Sequence, residues 1–242
     1  MATKLQIQND NRNVSADDRQ PQPKVLVTAR AKGEVAAAAI ARKAARRVND
    51  ISREVRLEAF ESLSEHGDAR WEKLAVIGLR DPEDTVVVSA LECLVSWQSR
   101  RHVAKAVRLL DSPSDLVRTY AAWATGRLGN ARQVQALRRR KRRAGDTAER
   151  TALLEALFTI TGDRRYFKDL LKQLKSTNVY ARAFTTNSLV GVANVRNVAD
   201  SIGSLARALS SEKSEFVAAA IRRDLVCLVE LTIEWHTPLS GT

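Results

Sequence analysis

Two cysteines in 242 residues, Cys93 and Cys227, are too few for a disulfide framework. Each lies among apolar neighbours (ECLV and VCLV), which predicts buried free thiols and a reducing, cytoplasmic setting. No stretch approaches the roughly 20 apolar residues that a membrane span needs. The opening MATKLQIQND has no apolar core of signal-peptide length, so the protein is expected to be neither secreted nor inserted in a membrane. The three histidines, His66, His102 and His236, are scattered, and no His or Cys falls at metal-ligand spacing. A Gly-rich phosphate loop and a Ser-His-Asp arrangement are missing as well. The stretch SEHGDARWE groups Glu65, His66, Asp68 and Glu72, but such a cluster after a helix usually means a polar turn. These absences predict no catalytic residues, no metal and no cofactor, hence a protein that is not an enzyme. Sustained alternation over several strands is also lacking, which argues against a sheet.

What is present is enough apolar material, 44% of the chain, to bury a sizeable core, and an uneven charge. The net charge of +12 is +5 over residues 1–50, −5 over 51–99, +11 over 100–143, +1 over 144–175 and zero over 176–242. An excess confined to one central segment and a basic N-terminal stretch predicts a local patch. The first 24 residues, rich in Asn, Asp, Gln and Pro, have too few apolar groups to pack. From Gly33 the run EVAAAAIARKAARRV reads as a helix, with Ile40, Ala44 and Val48 at spacing four. The expected division is a flexible polar arm over 1–32, an ordered body over 33–235 and a tail over 236–242.

A period of 31 residues organises that body. Val55, Val86 and Val117 are spaced by it, and so are Ala59, Ala90 and Ala121; Val179 and Ala183 fall two periods further on. Val-x-x-x-Ala puts both side chains on one helix face, and the small Ala lets another helix approach closely. Turn signals (LRDPED, LLDSPSD, LKSTN) precede each anchor, and Gly67, Gly129, Gly162 and Gly191 follow it. Each repeat is therefore read as a helical hairpin. The fold class is all-α: an α-solenoid of about five to six hairpins behind an N-terminal helix and arm.

DLVRTYAAWATGRLGN (115–130) and REVRLEAFESLSEHGD (53–68), with their Asp, Val-Arg, small-residue pair and Leu-Gly turn, resemble the short HEAT-like repeat of the type also found in phycobilin-lyase subunits. The resemblance covers roughly residues 52–225 and is weakest in SEFVAAAIRRDL, which lacks the terminal Gly. It implies that the second helices of the hairpins line a concave surface used for binding, and that Asp–Arg ladders can fix the stacking.

Second helices are expected to start near 69, 100, 131, 164 and 194, with Arg70, Arg101 and Arg132 at their opening turns, followed by Arg165 and Arg196. Those arginines either line a binding face or bond Asp68, Asn130 and Asp163 in the turns before them. Lys105, Arg108, Lys168 and Lys172 repeat no structural position and suit a partner surface. So does the run Arg138, Arg139, Arg140, Lys141, Arg142 and Arg143, because the helix macrodipole offsets only the first one or two charges, at roughly 0.3–1 kcal/mol each. Trp71, Tyr166 and Phe167 stand near second-helix starts, either as core or as base-stacking groups, whereas Trp97 and Trp123 read as core. Some DNA glycosylases are HEAT-like solenoids too, but their aromatic-plus-Asp constellation has no match here.

The acidic first repeat beside the basic third one favours oriented docking on a patterned partner. The expected function is a non-catalytic interaction module of bacterial type, an adaptor or an inhibitor such as an immunity protein, binding an acidic protein through a basic concave face. A nucleic-acid-binding solenoid is the alternative, and a lyase- or glycosylase-like enzyme trails both.

Overall fold

The computed structural model describes residues 24–236. The expected arm (residues 1–32) therefore falls mostly outside the described residues, as does nearly all of the 236–242 tail. The chain divides into two compact units, residues 1–36 and 37–242. Among the described residues twelve α-helices follow one another: α1 (Lys24–Ala45), α2 (Arg53–His66), α3 (Glu72–Gly78), α4 (Asp84–Ser96), α5 (Val103–Leu109), α6 (Asp115–Leu128), α7 (Val134–Lys141), α8 (Ala148–Thr161), α9 (Arg164–Lys172), α10 (Val179–Gly191), α11 (Val198–Leu209) and α12 (Glu215–His236). No strand occurs among the described residues. Helix α1 begins at Lys24, ahead of the start expected at Gly33.

Four of the five hairpins begin with a helix capped by a side chain, and α4 is the exception. The side chains of Ser52, Ser114, Thr147 and Asn178 accept hydrogen bonds from the backbone N–H of Val55, Val117, Arg150 and Ala181, satisfying donors that the first turn leaves open. Gly162 closes α8 in the left-handed region at φ 66°, which only glycine adopts without strain. Short 3-10 turns at 69–71, 100–102 and 131–133 then open the second helices, at the positions the period predicts. Five full hairpins (α2/α3 through α10/α11) are followed by the single long helix α12.

The anchor alanines Ala59, Ala90 and Ala121 are buried, as are Val86 and Val117, whereas Val55, Val179 and Ala183 remain half-buried. Their small size lets α2, α4, α6, α8, α10 and α12 stack directly on one another in that order. At α6 and α8 the approach is so close that a Cβ on Gly126 would lie 2.6 Å from the Cα of Ala156.

A second ladder locks the stack, at positions that the sequence reading did not single out. The Nη1 atoms of Arg56, Arg118, Arg150 and Arg182 each donate to the carbonyl six residues earlier, on Asp50, Ser112, Ala144 and Ser176, at 2.8–3.3 Å. Three of them also grip a carboxylate further down the chain: Arg56 with Asp81, Arg118 with Glu149 and Arg182 with Glu212. The arginine that follows the anchor valine in Val55-Arg56 and Val117-Arg118 was the available signal.

Candidate binding face

The second helices α3, α5, α7, α9 and α11 pack mainly on first helices and touch one another only marginally, while the first helices stack along their length. The Val-Arg helices form the closely packed row, called the inner row here, because their small anchor residues allow close spacing, and the basic residues expected on the second helices lie there, on the outer row.

The inner row is acidic at its start. Burial, together with the carboxylate of Glu61 on α2, raises Glu92 on α4 to a pKa of about 7. Tyr120 and Trp123 of α6 and Phe184 of α10 form edge-on ring pairs nearby, with Tyr120 centroids 6.1 and 6.4 Å from the other two. Glu155 of α8 is buried against Arg127 and Ser188, and burial leaves its carboxyl above the ordinary value despite them.

On the outer row the opening arginines divide. Arg70 and Arg165 are exposed, and each folds back on an aspartate of its own turn: the Asp68 and Asp163 carboxylates accept from the guanidinium at 2.7 and 2.8 Å. Those bonds hold both carboxyls below their ordinary range. Among the described residues Arg132 donates only its backbone N–H, to Asn130 Oδ1 at 3.0 Å, and its exposed guanidinium has no partner there. Arg101 instead reaches back one repeat to Glu72, which also accepts from Ser99 Oγ and contacts His102 Nε2 at 3.1 Å. Burial raises the Glu72 carboxyl and these donors overcome it, leaving it below its ordinary value. Hence the SEHGDARWE residues do not converge: Asp68 serves Arg70, Glu65 meets His66, and Glu72 turns to the next repeat.

The basic run is split in the same way. Arg140 is only 18% exposed and donates to Glu149, a carboxylate buried between it and Arg118. It is therefore part of the α7–α8 contact, and its inclusion in the partner surface is corrected: a guanidinium held by a buried carboxylate is not offered to a ligand. Arg139, Arg142 and Arg143 are exposed, Arg138 and Lys141 half-buried, and none of these five has a carboxylate ion-pair partner among the described residues. Arg108 and Lys168 are exposed and Lys105 is half-buried, while Lys172 bonds Asp169 at 2.9 Å.

Between α7 and α9 the cations converge. Arg138, Lys141, Arg165, Tyr166 and Asp169 line a groove of about 390 Å³. Arg138 Nε donates to Tyr166 Oη at 2.8 Å, and Lys141 Nζ lies 5.4 Å from the centre of the same ring. Tyr166 thus orients two cations, a role the sequence reading missed, because its partners lie 25 to 28 residues away. Phe167 is buried core, and Trp71, Trp97 and Trp123 are half-buried against the core. Among the described residues no group of His, Cys, Asp and Glu is arranged to hold a metal ion, and no helix is long and apolar enough to cross a membrane.

Residues 72–157 match the family described as HEAT repeats. No curated protein matches the sequence. Among solved structures the chain is similar to the complex of CpcE and CpcF of phycocyanin lyase from Nostoc sp. PCC7120, at 13% identity over 90% of this chain and 100% of that one, with a TM-score of 0.57. An engineered protein (18% identity, 78% and 96% covered, TM-score 0.40) and a designed armadillo repeat protein in complex with the peptide (KR)4 (17%, 77% and 98%, 0.37) are more distant in shape. The chain is an all-α solenoid built from repeated helical hairpins. Its match to HEAT repeats spans residues 72–157, and its hairpins carry an inner row of first helices and an outer row that bears the cations.

Proposed function

We propose that the protein is a non-catalytic binding module whose outer cationic row receives an acidic protein partner, as an adaptor or an inhibitor of immunity type. The observation that carries this reading is the uncompensated charge at the end of α7. Arg140 is neutralised by Glu149, while Arg138, Arg139, Lys141, Arg142 and Arg143 have no carboxylate partner among the described residues. Clustered like charges repel, and the macrodipole at the α7 C-terminus, worth roughly 0.3–1 kcal/mol per charge, offsets only the nearest. An acidic surface relieves the remainder. The solenoid supports this use because inter-repeat packing holds the cations of α7 and α9 on a fixed scaffold, so little ordering remains when a partner docks. Two free thiols, with Cys93 fully buried, fit a cytoplasmic setting.

The test replaces Arg139, Arg142 and Arg143 with Gln and leaves Arg140 in place. Stability should change by less than about 0.5 kcal/mol, as for other surface sites. Association with an acidic polypeptide should slow by about tenfold, because exposed charges mainly steer encounter. An unchanged association rate refutes the reading. If nucleic acid is the ligand and about five cations neutralise phosphates, affinity should instead fall with a log–log salt slope of roughly −3.5 to −4.5. Tight binding of unrelated DNA or RNA at about 150 mM salt would overturn the protein-partner reading in favour of that one.

A further inference from the structure

We infer that the groove between α7 and α9 is an oxyanion site that takes the dianionic phosphate of a phosphorylated protein segment; the inference deepens the reading of the outer row as a binding face. The groove has the size of a small-group pocket, about 390 Å³, and its wall is three cations and one carboxylate, Asp169, arranged about one tyrosine. Two of the nearby charges are already balanced, since Arg165 holds Asp163 and Lys172 holds Asp169. Arg138 and Lys141 form no ion pair with a carboxylate among the described residues, although the Arg138 charge reaches Asp163, and these two positive charges match a phosphate monoester carrying about −1.5 to −2 at neutral pH.

The donors are also directed. Arg138 spends Nε on Tyr166 Oη, so its fork is fixed while Nη1 and Nη2 form no bond within the protein among the described residues. Arg165 spends Nε and Nη2 on Asp163 and keeps Nη1. Lys141 stands over the Tyr166 ring as a point charge. A fork held in advance suits a tetrahedral group with several acceptor oxygens better than a lone carboxylate. The same geometry disfavours a nucleic acid: a single strand wants an open aromatic face for its bases, and Tyr166 is half-buried with its hydroxyl bonded and its ring under Lys141.

Calorimetry on the full chain tests this with five probes: a short acidic peptide bearing one phosphoserine, its unphosphorylated twin, the twin with Glu at that position, inorganic phosphate, and a single-stranded oligonucleotide. The phosphopeptide should bind at least about tenfold tighter than the Glu twin, the equivalent of one added charge-assisted hydrogen bond. Its advantage should vanish in Lys141→Gln, which keeps the Arg138–Tyr166 bond, and in Arg138→Gln, and persist in Arg139→Gln. Below about pH 6, where the phosphate takes up a proton, the advantage should shrink. Equal binding of the phosphopeptide and the Glu twin, still weakened by the Arg139/Arg142/Arg143 changes, overturns the phosphate site and leaves the acidic-partner reading standing. Inorganic phosphate binding as tightly as the phosphopeptide makes it a free-ion site and overturns the protein source. Tighter binding of the oligonucleotide overturns it in favour of nucleic acid, and no binding by any probe overturns both readings.

Discussion

Replacing Glu149 with Gln should be the most costly conservative change in the third and fourth repeats. The carboxylate is buried at the start of α8 and joins two helices of the preceding repeat: Arg118 of α6 donates to it at 2.9 Å, and Arg140 of α7 donates through Nε and, at 3.2 Å, through Nη2. Both guanidiniums are largely covered, with 13% and 18% of their side chains exposed. Gln fills the same volume but removes the charge that both arginines were folded around. Breaking a buried ion pair from one side costs about 3 kcal/mol or more, because the surviving charge stays desolvated. In a chain of this size that lowers the melting temperature by about 6–12 °C. Thermal melts followed by circular dichroism should show this drop, with Arg140→Gln costing about half as much, since Arg118 still satisfies the carboxylate, and Arg139→Gln costing almost nothing. The effect has a pH signature. Burial raises the Glu149 carboxyl, and the bonds from Arg140 and Arg118 more than reverse this, holding it below its ordinary value. A group whose folded pKa is lowered stabilises the fold above its unfolded value, about 4.3, and loses that stabilisation as pH falls through the lowered value. The gap between wild type and Glu149→Gln should therefore close in acid. Equal melting of the two proteins at pH 7 would show that the triad is solvated and that Arg140 belongs with its exposed neighbours.

Glu92 should behave in the opposite sense. With its pKa raised to about 7 by burial and Glu61, it is protonated without cost in mild acid. Raising the pH from about 4.3 through 7 should then remove up to 2–3 kcal/mol of stability. Glu92→Gln should flatten that slope, and a carboxyl titration by NMR with its midpoint near 4.3 would refute the assignment. Gly126→Ala should cost about 1–3 kcal/mol by overpacking, since its Cβ would lie 2.8 Å from the Cβ of Ala156. The circular dichroism spectrum should stay helical while the melting temperature drops; an unshifted midpoint would mean that α6 and α8 are further apart.

The hairpins, their starts and their anchors were legible in the chain because their causes are local. A Ser or Asn cap closes on an N–H three residues away, as Ser114 does on Val117, and Ala59, Ala90 and Ala121 share a helix face with their valines by spacing alone. Those same alanines made the stacking of first helices readable. The division of the basic run was not. Arg139 and Arg140 are adjacent and chemically identical, yet one faces water and the other a buried carboxylate supplied by the next repeat. The sequence determined that cations gather between residues 100 and 143. Tertiary structure decided which of them are neutralised, because a charge is offset by whatever lies a few ångströms away in space: Glu149 for Arg140 and Glu72 for Arg101.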